Sequence, residues 1–394
     1  MTGKMVRRAP EGIAALAPHR RRPLRILLPS YRSHPYTGGQ GVYIRHISRA
    51  LADLGHQVDV ISGPPYPELD ARVGLIKLPS LDLFAHKNPL RGLPRERHGN
   101  PTDWIEYLSH NTGGFAEPYT FGRRLVDYLQ NHAADYDIIH DNQTLCTVLL
   151  QLQRQGRVVI STIHHPISKD RAYAIAAQET AFLKFLVWRW HLFLNMQQRV
   201  ARRLDNIIAI SQSTHRDLIS EFGLRPEQMH IVLQGIDSDG FRPMPEIARK
   251  PNRLMTTASA DVPLKGLVYL VEAYASLLPE FPDLELLVVG KLRDGPASNL
   301  LDRLGIRDRV KFVSDLDSEA ICKLYAEATI AVSPSLYEGF GFPAGEAMAA
   351  GVPLVATTGG ALPEVVGPDG VLTPPGNSAA LAAAIAGLLR DPWR

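Results

Sequence analysis

The sequence predicts an α/β protein with parallel sheets in two domains, and three observations carry that reading. Its 394 residues exceed what one hydrophobic core usually organises. Short, almost wholly apolar runs such as Val158 to Ile163 and Leu284 to Val289 alternate with longer amphipathic ones, the pattern of parallel strands covered on both faces by helices. The alternation stops once, in a stretch from Asp237 to Asn252 rich in proline and charge, and then resumes.

Taken in order, residues 1–22 form a basic tail with Arg7, Arg8, Arg20, Arg21 and Arg22; it lacks a continuous apolar region and does not read as a secretory signal. The first domain, 23–236, has predicted strands at Leu24–Pro29, Gln57–Ser62, Asp137–His140, Val158–Ile163 and Asn206–Ile210. Helices such as Val42–Leu54 and Phe121–Ala133 run between them. From Pro79 to Pro118 the periodicity fails among Pro, Gly, His and Arg, which predicts a long excursion at the carboxyl side of the sheet, where excursions shape substrate clefts. The linker occupies 237–252. The second domain, 253–394, has predicted strands at Arg253–Ala258, Leu284–Val289, Val310–Val313, Ile330–Ser333 and Pro353–Ala356. No repeat or low-complexity tract interrupts it.

Composition narrows the class. A hydrophobic share of 45% and a charged share of 21% are those of a folded globular chain, and a net charge of +3 gives no general attraction for nucleic acid. Cys146 and Cys322 fall in different predicted domains inside apolar segments, which implies a reducing, cytoplasmic setting with no disulfide framework and no metal site. No stretch is long and apolar enough to cross a bilayer.

The densest chemical signal is Ser333 to Gly351. A buried strand runs into a turn containing Gly339 and Gly341, and Pro343 marks a helix start. Glycines there allow close approach of a ligand, and a helix start offers unpaired N–H groups to an anion, so the segment reads as a diphosphate cradle. Glu338 in the loop and Glu346 in the expected first helical turn can accept hydrogen bonds from sugar hydroxyls. Lys265, in the run D-V-P-L-K-G, is the candidate cation that such a site needs.

These residues resemble the retaining glycosyltransferases of family 4, whose two Rossmann-like domains face each other across a cleft in the GT-B arrangement. The resemblance also takes in Thr37-Gly38-Gly39, Thr162-Ile163-His164, Gln234-Gly235-Ile236-Asp237 and Lys265-Gly266, spread from about residue 24 to 390 in the family's order. Each motif alone is weak, and their order and spacing carry the match.

The resemblance implies roles residue by residue. Glu346 binds the ribose hydroxyls, Glu338 contacts the transferred sugar, and the backbone of Gly339, Phe340, Gly341 and Phe342 meets the diphosphate, with both Phe side chains equally suited to packing. Lys265 stabilises the charge growing on the leaving phosphate. His164 faces the sugar near its anomeric carbon, although a lone histidine after a strand is more often a packing residue. Gly38 and Gly39 leave room for diphosphate or acceptor, besides making a tight strand-to-helix turn. His165 has no counterpart in the pattern, and its role stays open. Relatives carry an Arg six residues before the lysine where this chain has Ser259; Lys291 or Arg293 is the expected substitute. Relatives also continue past the last helix with a segment that crosses back to the first domain, whereas this sequence ends at Arg394, which bears on domain closure.

The implied activity is transfer of a hexose from a nucleoside diphosphate sugar to a hydroxyl acceptor, without metal or cofactor. The basic, aromatic segment Phe182 to Val200 reads first as a core helix beside the cleft. Read instead as a helix lying on anionic lipid at the inner face of a membrane, it would make the acceptor a lipid or lipid-linked glycan. Two alternatives on the same fold are a non-catalytic nucleotide-sugar sensor or assembly subunit, and a sugar-nucleotide epimerase. Base, hexose and acceptor are not legible in the residues.

Overall fold

The computed structural model describes residues 22–35, 39–258 and 262–391. Thirteen strands form two sheets, and every strand pair is parallel. In the first sheet β1 (Arg25–Ser30), β2 (Gln57–Ser62), β3 (Gly74–Lys77), β4 (Ile138–Asn142), β5 (Val158–Ile163), β6 (Ile207–Ala209) and β7 (Met229–Ile231) lie in the order β3-β2-β1-β4-β5-β6-β7. The second sheet, of β8 (Arg253–Thr257), β9 (Glu285–Val289), β10 (Val310–Val313), β11 (Ile330–Ser333), β12 (Leu354–Thr357) and β13 (Val371–Thr373), has the order β10-β9-β8-β11-β12-β13. This is the GT-B architecture of two Rossmann-like units.

In the first unit the helices are α1 (Gly39–Asp53), α2 (Pro101–Asn111), α3 (Glu117–His132), α4 (Val148–Arg154), α5 (Ser168–Ala176), α6 (Ala181–Trp190), α7 (Leu194–Ala201) and α8 (Gln212–Asp217). The second has α9 (Leu267–Leu277), α10 (Pro296–Leu304), α11 (Ser318–Glu327), α12 (Phe342–Ala349), α13 (Leu362–Val366) and α14 (Ser378–Arg390). Cores form on both faces of each sheet. Leu27, Ile139 and Ile163 pack with Leu125 and Leu149 on one face of the first, and Ile26, Leu28 and Val60 with Ile44 on the other. Leu254, Val288 and Val332 pack with Leu270 and Ile385 on one face of the second, and Met255, Ala331 and Ala356 with Tyr325 and Ala347 on the other. Burial on both faces is why these strands read as continuous apolar runs.

Strand order reverses between β1 and β4 in the first sheet and between β8 and β11 in the second. Crevices open at such switch points beyond the carboxyl ends of the strands. His164 follows β5, Lys265 follows β8 and Glu338 follows β11.

The sequence expectations need three corrections. Helix α1 starts at Gly39, three residues before the expected Val42. The irregular region contains a true helix, α2, whose pattern is inverted. It buries Asp103 and Glu106, both bound by Arg124 at 2.5 and 2.6 Å, and exposes Trp104, Ile105 and Leu108. An acidic face pointing inward defeats any hydrophobic-periodicity reading. Third, Phe182 to Val200 is not one core helix: α7 buries Leu194, Val200 and Ala201, whereas no residue of α6 is buried.

Candidate functional site

Lys265 ends a short helical turn, Pro263–Lys265, just beyond β8, and Glu338 lies in the loop that leaves β11. The two loops touch because residue 266 is glycine. Its φ is +66°, and a Cβ there would stand 2.0 Å from the carbonyl oxygen of Pro334. That approach sets Lys265 Nζ 2.8 Å from Glu338 Oε1, and Ser335 Oγ donates to the same oxygen at 2.7 Å.

Helix α12 follows, with Gly341 at its N-cap in a left-handed conformation, φ +101°. Among the described residues, the N–H groups of Gly339, Phe340, Gly341 and Phe342 meet no acceptor. Four N–H groups without an acceptor beside a lysine suit an anion. The rings of Phe340 and Phe342 pack edge to face with centroids 5.1 Å apart. Because the helix begins at Phe342, Glu346 sits in its second turn, not the first. Burial pushes its carboxyl up to about 7, and no donor among the described residues engages it.

Across the cleft, β5 delivers His164 beside the switch point, next to the end of β4. Its ring Nε2 is 2.7 Å from Asn142 Oδ1, its backbone N–H donates to Gln143 Oε1 at 2.7 Å, and Gln234 Nε2 stands 3.4 Å from Nδ1. Tyr43 packs edge-on against it at 4.8 Å. With Nε2–H donating to Asn142 and Nδ1 accepting from Gln234, the imidazole is neutral. Burial, reinforced by His165 and His140, pushes its pKa down to about 3. Such a ring cannot supply charge, but it is fixed in place and tautomer.

The next residue, His165, pairs through Nε2 with Asp170 Oδ2 at 2.6 Å. Burial disfavours a charged ring there, but the Asp170 carboxylate outweighs it and holds the imidazole above its ordinary value. Asp170 is shifted the opposite way: burial raises it, and the pairing with His165 brings it below the usual carboxylate range.

The units meet around Gly339. Its carbonyl accepts from Ser211 Oγ at 2.7 Å and Thr214 Oγ1 at 3.0 Å, and a Cβ added to it would lie 2.1 Å from the carbonyl oxygen of His164. The N–H groups of Gln212 and Ser213 donate to Glu364 at 2.8 and 2.6 Å, and Tyr337 donates to Asp217 at 2.7 Å. These contacts bring His164 and the Lys265–Glu338 pair to one cleft.

Among the described residues, a Cβ on Gly39 would meet no atom within 4 Å. Gly38 and Ser259 lie outside the described residues. Lys291 is turned to Asp315 in an exposed pair at 3.0 Å and touches none of Lys265, Glu338 or Glu346; Arg293 makes no ion pair among the described residues. Asn142, Gln143, Asp170 and Ser335 were not foreseen from sequence. The polar end of the run Ile138-Ile139-His140-Asp141-Asn142 was the available signal, because side chains closing a buried strand at its carboxyl edge face the crevice. No three His, Cys, Asp or Glu side chains come together as a metal-holding group among the described residues.

Comparison with known proteins agrees with this geometry. Residues 37–239 match the family described as Glycosyltransferase Family 4, and residues 251–391 match Glycosyl transferases group 1. The chain is 47% identical to the MMP alpha-(1->4)-mannosyltransferase of Mycolicibacterium hassiacum, over 94% of this chain and 90% of that protein. It is 29% identical to the D-inositol 3-phosphate glycosyltransferase 2 of Catenulispora acidiphila, over 94% and 88%. Among solved structures it resembles sucrose-phosphate synthase from Thermosynechococcus elongatus, with TM-score 0.70 and 26% identity over 94% of this chain and 90% of that one. WaaG, a glycosyltransferase of lipopolysaccharide biosynthesis, shares the fold with TM-score 0.66 and 17% identity over 93% and 91%. The chain belongs to glycosyltransferase family 4 and is a glycosyltransferase.

Proposed function

We propose that this glycosyltransferase moves a mannosyl residue from a nucleoside diphosphate mannose to a hydroxyl of a mannoside acceptor, with retention at the anomeric carbon. The observation that carries the donor site is the Lys265–Glu338 pair beside four unpaired N–H groups at the start of α12. The sugar and linkage rest on the 47% identity to an alpha-(1->4)-mannosyltransferase.

In this reading the diphosphate lies on the N–H groups of Gly339 to Phe342 and on Lys265, Glu346 takes the ribose hydroxyls, and Glu338 takes hydroxyls of the sugar. The bond from the anomeric carbon to the diphosphate oxygen breaks, and its electron pair stays on that oxygen. The acceptor oxygen bonds the carbon from the same face, and its proton passes to the leaving phosphate oxygen. Lys265 and the N–H groups stabilise the charge that develops there. Neutral His164, held by Asn142, orients the reacting centre; Gly39 leaves space above it. Neither a metal nor a cofactor has a part in this scheme. Cys146 and Cys322 are free and buried, which suits the reducing cytoplasm where nucleotide sugars are used.

Incubating the protein with GDP-mannose, UDP-glucose or ADP-glucose and an α-mannoside tests this reading. A mannosylated product from the mannose donor supports it, and transfer of glucose alone overturns it.

A membrane-linked acceptor has its own observation. Phe182, Leu183, Phe185 and Trp188 of α6 and Trp104, Ile105 and Leu108 of α2 are exposed, with Lys184 and Arg189 on the same helix α6. Exposed apolar side chains with a lysine on the same helix suit anionic lipid. No described helix is long and apolar enough to cross a membrane, so such contact would be peripheral. Flotation with phosphatidylglycerol vesicles, lost in Phe185→Ser/Trp188→Ser, would support it; no flotation at low salt would exclude it.

A further inference from the structure

The resemblance gives His165 no counterpart and puts Ser259 where its pattern has an arginine. We infer that His165, held by Asp170, is a catalytic residue that donates its Nδ1–H to the diphosphate of the sugar nucleotide from the opposite wall of the cleft. The inference rests on the donor reading proposed above.

Position is the first argument. His165 is carried by the first unit, yet its Cβ lies only 3.1 Å from where a Cβ on Gly339 would stand, so it leans on the loop that offers the unpaired N–H groups. Helix α5, which carries Asp170, packs against the turn that carries Lys265. The Tyr337 ring lies 6.2 Å away. The loop with the unpaired N–H groups, the Lys265 turn and His165 are therefore neighbours.

Orientation is the second. Nε2 is bonded to Asp170 at 2.6 Å, and Nδ1 has no partner among the described residues. A carboxylate behind one nitrogen fixes the ring and strengthens the other as a donor, and a charge-assisted N–H to a phosphate oxygen is among the stronger hydrogen bonds available. The backbone is also anchored, with Gln143 Nε2 donating to the His165 carbonyl at 2.9 Å.

Charge is the third. The groups facing the ring are Asp170 from α5, Glu338 and Lys265 from the second unit, and neutral His164 beside it, while Asp170 in turn interacts with His191, Tyr31 and Tyr337. The two carboxylates favour a charged imidazole and Lys265 opposes it, and the net direction is upward. During transfer the bond from anomeric carbon to phosphate oxygen breaks and the acceptor's proton goes to that oxygen. His165 keeps its own proton and acts only as donor and counter-charge. Removing one such preorganised donor costs a reaction about 10² to 10³ in rate.

The test uses the full-length protein and two neutral variants. His165→Asn keeps a donor near Nδ1 but loses the charge, and Asp170→Asn keeps a polar partner but loses the carboxylate; thermal melting checks that both fold. Binding of GDP and UDP is measured by calorimetry from pH 6 to 9.5, and transfer is measured with the donor that wild type uses. We expect His165→Asn to bind nucleoside diphosphate about tenfold more weakly at pH 6.5 and to lose a step in the pH profile that wild type shows. Asp170→Asn should move that step to lower pH, because it removes the group that holds the imidazole charged. Folded His165→Asn with wild-type affinity, rate and pH profile overturns the inference alone. Failure of wild type to bind either nucleotide overturns the donor reading and the inference with it.

Discussion

Lys265 and Glu338 come from loops 73 residues apart in sequence and meet at 2.8 Å at the switch point of the second sheet. The pair is partly exposed, with side-chain exposures of 25% and 11%, so its own contribution to folding is small, on the order of 1 kcal/mol. Its value lies in holding a cation and a carboxylate together where α12 begins.

Lys265→Ala should therefore cost function far more than stability. We expect a fall in kcat of about 10² to 10³, from loss of charge stabilisation at the leaving oxygen, with a change in unfolding free energy below about 1 kcal/mol. Steady-state kinetics and urea titration on the same preparation separate the two.

Glu346→Gln should stabilise the unliganded protein at alkaline pH while weakening donor binding. The folded-state value of about 7 lies above the ordinary 4.5, so folding favours the neutral carboxyl. Its contribution is fully present below pH 4.5 and is lost as pH rises through 7. The variant should be more stable than wild type at pH 8, by about 1 to 3 kcal/mol, and equal to it at pH 4. Urea midpoints at the two pH values check the sign.

His140 and His164 act in the opposite direction. Burial holds His140 at about 4, and burial with its histidine neighbours holds His164 at about 3, both below the ordinary 6.5. Their contribution is present above pH 6.5 and is lost as pH falls toward those values. The melting temperature should drop between pH 6.5 and 4, and His140→Gln/His164→Gln should flatten that drop.

Arg124→Ala should be severe although the residue lies outside the cleft. It would strand Glu106, 3% exposed, without its cation and leave Asp103, 2% exposed, only the longer contact to Arg97 at 3.6 Å, at about 3 to 5 kcal/mol. Denaturant unfolding measures it, and loss of α2 helicity should precede global unfolding.

How much of this was readable depends on which side of each element is apolar. Val158–Ile163 and Ile330–Ser333 were legible to the residue because strands buried between helices are almost wholly apolar, and Gln57–Ser62 and Val310–Val313 matched as well although Asp59 and Lys311 interrupt their apolar runs. Strands β3, β7 and β13 were not foreseen. They sit at sheet edges, are three or four residues long and only partly buried, so they lack that signature. Helix α2 hid because it buries carboxylates around Arg124. In the site, Glu338, Lys265 and His164 were legible through motif order. Their partners Asn142 and Ser335 were not, nor was Asp170 beside His165, since these pairings follow no spacing rule. Lys291, one of the two residues expected to stand in for the arginine, pairs with Asp315 in an exposed ion pair at 3.0 Å.

The central claim is retaining transfer from a nucleoside diphosphate mannose held at the Lys265–Glu338 cradle. The most direct measurement is NMR of the product formed from GDP-mannose and an α-mannoside by wild type and by Lys265→Ala. The account predicts an α-linked mannosyl product from wild type and roughly 10²-fold less from the variant. A β-linked product, or equal transfer by the variant, would contradict it.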